Sequence, residues 1–412
     1  MKNGKMLAVF VFIATLFVSC NTEVQKKPID VRFHHETLKR IGIDGDNWCT
    51  TWAKDGSLIT SMCDGNWLGD NNYYHNHLYR IVGEADSFNI SHISAYPEYF
   101  GGNDYPGWFG YGVVAIDDEI YSMVSKTPGL NWSGPFRGVK MLKSSDNGQS
   151  WYRVNKNGHT RLINPLDSAR NLITNDEMFF MEEFGKEQHG QIAYPFSWVA
   201  FVQNGKAGSA SPDGYIYIYA PESSNAHELL LARVKKEEFE VRSNWEYFKN
   251  WDGETAIWTG DINQRGAVHV FQEKNGKNEY FGWYSWLPSV VWNEGLGLYI
   301  MVNGGTYAGH GMSNSQEDYY DSWMHNKTGS LGFWYSENPF GPWEQIYYTE
   351  YWKFQHENNL NYQPKLSPKW ISDDGKDMTL IWSDAMKNSK GQSHDTTYLW
   401  NQMQIKILID KN

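Results

Sequence analysis

The sequence predicts an all-β fold, a five-bladed β-propeller, and three observations carry that expectation. A hairpin recurs five times in 412 residues: TWAKDGSLITSM around Asp55-Gly56, VVAIDDEIYSMV around Asp118-Glu119, SASPDGYIYIYA around Asp213-Gly214, VVWNEGLGLYIM around Leu296-Gly297 and KWISDDGKDMTLIW around Asp374-Gly375. Asp-Gly between two β-favouring runs is a strong hairpin signal, because the turn needs residues that tolerate positive φ. A third apolar run follows each hairpin (HLYRIV, VKMLKSS, LLLARV, GSLGFWYS, QMQIKILI), and usually a fourth that opens on an aromatic residue. Four strands repeated radially make a propeller blade, and ring closure protects the sheet edges.

The elements follow in order. Lys2 and Lys5 precede an apolar run from Leu7 to Val18, and Phe17-Val18-Ser19-Cys20 resembles the lipobox of bacterial lipoproteins. A run of about a dozen residues is too short to span a bilayer of roughly 30 Å. The lipobox likeness implies cleavage before Cys20 and acylation there, with residues 1–19 a signal peptide, 20–30 a tether and 31–412 the propeller. The expected location is the bacterial cell envelope, lipid-anchored in the outer membrane or periplasm. The last repeat runs out after three strands, so Val31 to His35 is expected to supply its outer strand and close the ring. Turn spacing varies from 63 residues (55 to 118) to 95 (118 to 213), which implies long loops, where repeat folds often bind ligands. Helix periodicity is sparse; only Leu231 to Phe239 suggests a short helix.

Charge narrows the partners. The chain carries a net −12, and removing residues 1–19 takes away two lysines and no acid, leaving −14. An acidic, monomeric protein of this kind is not expected to bind nucleic acid. His189, His310, His325 and His394 show no paired metal-ligand spacing, so no metal site is expected from side chains. A propeller's central channel can still gather carbonyls and waters around Ca²⁺, although the sequence supplies no ligand set for it and no cofactor is required.

Chemistry is best sought in the first hairpin. If Asp55-Gly56 forms a two-residue turn, residue i pairs with 111 minus i. Cys49 then faces Met62 and Cys63 points to the other side, so a disulfide is not expected. Asp46 falls opposite Gly65, which sets Asp46 beside Asp64 at the open end. Neighbours across or diagonal in an antiparallel pair lie roughly 4.5 to 8 Å apart. That range includes the ~5 Å carboxyl separation of a retaining glycosidase, and its upper part reaches that of an inverting one. Strict alternation would turn the two side chains apart, so the strand must end or twist before Asp64. Both acids could equally be turn residues that cap backbone N–H groups.

Other groups compete with this pair. Ser144 to Trp151 matches the Asp-box pattern S-x-D-x-G-x-S/T-W, whose role is to shape a turn between outer strands, and Ser336 to Trp343 occupies the equivalent turn of the fourth repeat. Tyr74, His75, His77 and Arg80 are the residue types of a polysaccharide lyase: base, tyrosine acid and a cation for a uronate. With 20 Trp, 26 Tyr and 20 Phe, aromatics make up 16% of the chain. Several fall in polar insertions, where flat rings could stack on sugars: Trp67, Tyr73, Tyr96, Tyr99, Tyr105, Trp108, Trp132, Trp283, Tyr307, Tyr319 and Trp323. Inter-blade packing also consumes aromatics.

A set of short motifs carries a family resemblance over roughly residues 40 to 410. Asp46-Asn47-Trp48, Thr51-Trp52-Ala53, Asp55-Gly56 and Asp64-Gly65 open it. Leu231-Ala232-Arg233-Val234, Trp245-Glu246-Tyr247-Phe248, Trp258-Thr259, Asp261-Ile262 and Arg265 follow. Ser289-Val290-Val291-Trp292-Asn293, Leu296, Tyr299 and Asn338-Pro339-Phe340-Gly341-Pro342-Trp343 complete it. Together they resemble a bacterial secreted family long catalogued as a domain of unknown function. Its relatives are similar to five-bladed propeller glycosidases, and some are retaining endo-D-arabinanases. The resemblance implies a glycoside hydrolase acting on an oligo- or polysaccharide. Asp46 and Asp64 would be nucleophile and general acid/base in unassigned order, with Asp44, Trp52, Trp258, Asp261 and Arg265 near the sugar. Tyr280 to Leu287 and Gly304 to Thr328 depart from the family pattern and bear on the substrate. A lyase, or a non-catalytic glycan-binding lipoprotein, is the alternative, since a fold does not settle a function.

Overall fold

A computed structural model describes residues 27–70, 72–97, 108–126, 138–164, 176–181, 195–222, 225–272, 287–304, 330–350, 352–354, 359–386 and 398–410. The expected signal peptide and Cys20 lie outside them, as do the two segments expected to bear on the substrate, save their end residues Leu287 and Gly304.

The chain opens with β1 (Pro28–Ile41) and then builds five sheets. Blade I comprises β2 (Thr50–Trp52), β3 (Leu58–Met62), β4 (His77–Glu84) and β5 (Ser87–His92). Blade II comprises β6 (Trp108–Ile116), β7 (Glu119–Lys126), β8 (Val139–Ser144) and β9 (Tyr152–Val154), extended by β10 (Thr160–Leu162). Blade III comprises β11 (Ala200–Gln203), β12 (Tyr215–Glu222), β13 (Asn225–Lys235) and β14 (Glu246–Asp252). It also carries β15 (Thr255–Thr259) outside and β16 (His269–Val270) against β13. Blade IV comprises β17 (Ser289–Asn293), β18 (Leu298–Gly304), β19 (Leu331–Ser336) and β20 (Glu344–Thr349). Blade V comprises β21 (Asn359–Ile371), β22 (Asp377–Met386) and β23 (Trp400–Ile409), and β1 supplies its outer strand.

Innermost strands close the ring: β2 packs on β6, β6 on β11, β11 on β17, β17 on β21, and β21 on β2. The fold is a five-bladed β-propeller, as the repeats imply. The expected closing strand lies within β1, where Val31 pairs with Ile407 and Phe33 with Ile405. It starts at Pro28, so the end of the expected tether is already strand.

Each blade is apolar on both faces, because it packs against two neighbours. On β6, Val113 joins the core with blade I and Val114 the core with blade III; on β22, Leu380 faces blade IV and Ile381 faces blade I. Consecutive strand residues point to opposite faces, so near-continuous apolar runs are what this architecture requires. Trp48, Trp67 and Trp400 join blades I and V, with Trp67 stacked on Trp400 at 5.1 Å. Burying each such ring contributes about 3 kcal/mol.

The sequence reading needs three corrections here. The Asp55-Gly56 loop is a three-residue turn: Ala53 N–H bonds Ser57 O and Gly56 N–H bonds Ala53 O, with Gly56 at φ 89°. Thr50 therefore pairs with Thr60, one residue off the expected register. The third hairpin is wider than its motif suggests: its first strand is Ala200–Gln203, not Ser209 to Ser211. Of the suggested helix, Leu231 to Lys235 is strand and only Lys236–Glu238 forms a 3₁₀ turn, because burial on both faces overrides local propensity.

Candidate functional site

Blade I carries its acids at the end of the ring opposite the Asp55-Gly56 turn. The three-residue turn shifts the pairing, and Asn47, left-handed at φ 59°, slips it once more, so Asp46 pairs with Cys63 rather than Gly65. Both backbone bonds of that bridge form, at 2.9 and 2.8 Å. Asp64 is itself left-handed at φ 48°, which ends the alternation where the sequence reading needs it to end. Gly65 pairs with Tyr74 and lies against Gly45 so closely that a Cβ on Gly65 would stand 2.5 Å from the Gly45 Cα. This backbone contact gathers Asp44, Asp46 and Asp64 at one end of the blade.

The three carboxyls differ in environment. Asp46 is buried; its Oδ2 accepts from the Tyr362 hydroxyl at 2.7 Å and its Oδ1 from the Asn47 amide at 2.9 Å. Burial, followed by the charges of Asp64 and Asp44, holds its carboxyl well above the usual range against those two donors. Asp44 is pushed up to about 6, first by burial and then by Asp64, against a bond from the Gly45 amide. Asp64 keeps 34% of its side chain exposed, and its Oδ1 lies 2.9 Å from His75 Nδ1. Two carboxyls in unlike surroundings can divide proton donation and attack between them.

Other blades wall the acids. Tyr362 and Tyr398 come from blade V and Tyr111 from blade II; burial, followed in each case by groups that include Asp46, holds all three phenols protonated. Lys365 is buried, donates to the Leu287 carbonyl and lies 3.2 Å from Gln363 Oε1. Burial lowers its proton affinity. Its ammonium occupies carbonyl oxygens of the kind a Ca²⁺ ion would need. Among the described residues, no three His, Cys, Asp or Glu side chains are grouped to hold a metal. Cys49 and Cys63 are buried free thiols.

The remaining expected site residues are scattered. Trp52 pairs with Leu58 beside the turn, at the far end of the hairpin from Asp46. Trp258 lies under the Arg233 guanidinium at 3.9 Å, in the packing between blades III and IV, and Arg233 also covers Tyr215 next to the Asp213-Gly214 turn. Asp261 is exposed and caps the 3₁₀ turn Ile262–Gln264 through the Asn263 amide at 3.0 Å. Arg265 makes a bidentate pair with Glu222 at 3.0 and 2.9 Å. Only Asp44 joins the carboxyl pair. Of the aromatics proposed for sugar stacking, Trp67, Tyr96 and Trp108 are core residues and Tyr73 is exposed. Tyr99, Tyr105, Trp132, Trp283, Tyr307, Tyr319 and Trp323 lie outside the described residues, as do His189, His310, His325 and His394.

The lyase grouping comes apart. Arg80 binds Asp55 at 2.5 Å, Ser57 at 2.7 Å and Asn147 at 2.8 Å, tying the turn to the Asp-box. His77 stacks on Tyr74 and lies 3.0 Å from His92, and burial pushes it down to about 3, so it is neutral. His75 alone reaches the acids. Sequence reasoning missed its pairing with Asp64, and missed Tyr362 altogether, because that residue lies 316 positions from Asp46.

No protein-family model matches the chain, and no curated protein matches it. Among solved structures it is similar to a Bacteroides ovatus protein proposed to be a hydrolase, at 12% identity over 89% of this chain and 87% of that one, TM-score 0.47. It is similar to an α-L-arabinofuranosidase of Podospora anserina in complex with cellotriose, at 8% identity over 92% and 95%, TM-score 0.42. It is also similar to a GH43_1 enzyme of Xanthomonas citri complexed with xylotriose, at 11% identity over 89% and 90%, TM-score 0.40. All three scores fall below 0.5, so the five-bladed assignment stands on this chain's own strand order and ring contacts.

Proposed function

We propose that this protein is a glycoside hydrolase that cleaves an oligo- or polysaccharide with retention, using Asp46 and Asp64. The observation that carries the reading is the meeting of Asp44, Asp46 and Asp64 at one end of the ring, with Asp46 buried and its proton affinity raised by that burial and by the neighbouring acids. In this reading Asp64 attacks the anomeric carbon. The glycosidic C–O bond breaks, and the Asp46 proton passes to the leaving oxygen. Water, deprotonated by Asp46, then displaces Asp64 from the glycosyl ester. His75 steadies Asp64 throughout. Cys20 anchors the protein to the cell envelope by its lipid, and a Cys20→Ser variant should leave the membrane fraction.

The test is incubation with a polysaccharide panel that includes arabinans, with products resolved by chromatography and the first-formed anomer identified by NMR. New reducing ends of retained configuration support the proposal. Products absorbing in the near ultraviolet would indicate lyase chemistry, and binding without turnover would indicate a glycan-binding protein; either result defeats it. Asp46→Asn and Asp64→Asn should each lower kcat by at least ~10²-fold while leaving the melting curve cooperative. Full activity in both variants rules the pair out.

A further inference from the structure

Blade V reaches its neighbour's acid through a break in its own ladder. Along β21, Tyr362 pairs with Ser383 but Lys365 pairs with Ile381, so one extra residue is inserted and the strand bulges. Gln363 takes up that insertion in a left-handed conformation, φ 55°, which costs a side-chain-bearing residue of order 1 kcal/mol or more. Its Oε1 accepts from Lys365 Nζ at 3.2 Å, but its Nε2 is buried without a hydrogen-bond partner, so its own bonding offsets that cost only in part. The bulge instead delivers the buried Tyr362 hydroxyl across the blade boundary to Asp46 Oδ2 at 2.7 Å.

Resting on the hydrolase reading above, we propose that Tyr362 is a positioning residue for the acid/base, and that the β21 bulge exists to place its hydroxyl on Asp46. The phenol stays protonated, so it donates at every working pH. A donor on the ionised carboxylate opposes the burial and like charges that raise its proton affinity. Without it Asp46 would hold its proton too tightly to release it to a leaving oxygen. Among the described residues, the titratable groups that interact with Asp46 are Asp44, Asp64, Cys49 and Cys63 from blade I, Tyr111 from blade II, and Tyr362 and Tyr398 from blade V, with Lys365 beyond Cys49. Among these described groups only Tyr362 hydrogen-bonds the Asp46 carboxyl, whose other oxygen accepts from the Asn47 side-chain amide.

Tyr362→Phe removes one oxygen from a packed site and tests this. The Asp46 carboxyl, followed by ¹³C NMR titration and identified by its absence in Asp46→Asn, should titrate about one pH unit higher in Tyr362→Phe. On a cleaved substrate, kcat should fall about tenfold or more with KM within about twofold, and the alkaline limb of the kcat/KM profile should move up by a similar interval. An unmoved Asp46 titration, or lost activity with unmoved limbs, overturns the proposal and leaves Tyr362 as packing. Asp46→Asn separates the two levels: its full activity sinks the assignment of Asp46 as acid/base on which this inference rests, whereas an inactive Asp46→Asn beside a wild-type-like Tyr362→Phe sinks only this inference.

Discussion

Asp44 and His77 link stability to pH in opposite senses. The Asp44 carboxyl is raised to about 6 from its ordinary 3.8, so the folded state binds the proton more tightly than the unfolded one. Its contribution is fully present below about pH 4 and is lost as pH rises through 6. His77 is lowered to about 3 from 6.5, so its contribution is present above 6.5 and is lost as pH falls toward 3. Replacing Asp44 by Asn should raise Tm by a few degrees at pH 7.5 and leave it unchanged at pH 4, as read by thermal melts at both values. Equal shifts at the two values would show that its carboxyl is not perturbed.

Gly65 decides whether the strand ends of blade I can close around the acids. A methyl group there would meet the Gly45 Cα and N at 2.5 Å and the Asp44 carbonyl carbon at 2.6 Å, all backbone atoms with no soft direction in which to yield. Gly65→Ala should cost about 1 to 3 kcal/mol, measured by denaturant unfolding, and should lower activity by displacing Asp64 from Asp46. Beside the turn at the other end of that hairpin, the Asp-box between β8 and β9 of blade II behaves as the sequence suggests. Asp146 accepts from the Gln149 and Ser150 amides at 3.0 and 2.8 Å, and Trp151 is buried between blades I and II. Arg80 joins that turn to Asp55, so it holds two blades together rather than neutralising a uronate.

Ring closure is the property of the whole molecule on which the site depends, since blade V delivers Tyr362 to an acid of blade I. The join rests on pairing of the first and last strands and on the Trp48, Trp67 and Trp400 cluster. Beyond it, the Asn47 amide donates to Ser383 Oγ at 3.2 Å, and Arg40 pairs with the buried Asp384 at 2.5 Å. Removing residues up to Leu38 would strip Val31 and Phe33 from β23 and expose its edge. Tm should fall by roughly 10 °C, and the protein should associate at high concentration, as read by melting curves and size-exclusion chromatography.

Five hairpins and their third strands were legible in the chain because turn chemistry and apolar runs are local, and the closing strand followed from counting the last repeat. Asp46 and Asp64 could be paired because a single turn lies between them. The tertiary structure decided what spans the ring: the one-residue register slip at Asn47, the backbone contact of Gly45 with Gly65, and the arrival of Tyr362. It also sent Trp52 and Trp258 into packing, away from the acids. Hairpin pairing is set over a few residues by turn geometry, whereas residues hundreds of positions apart meet only when every blade between them has taken its place.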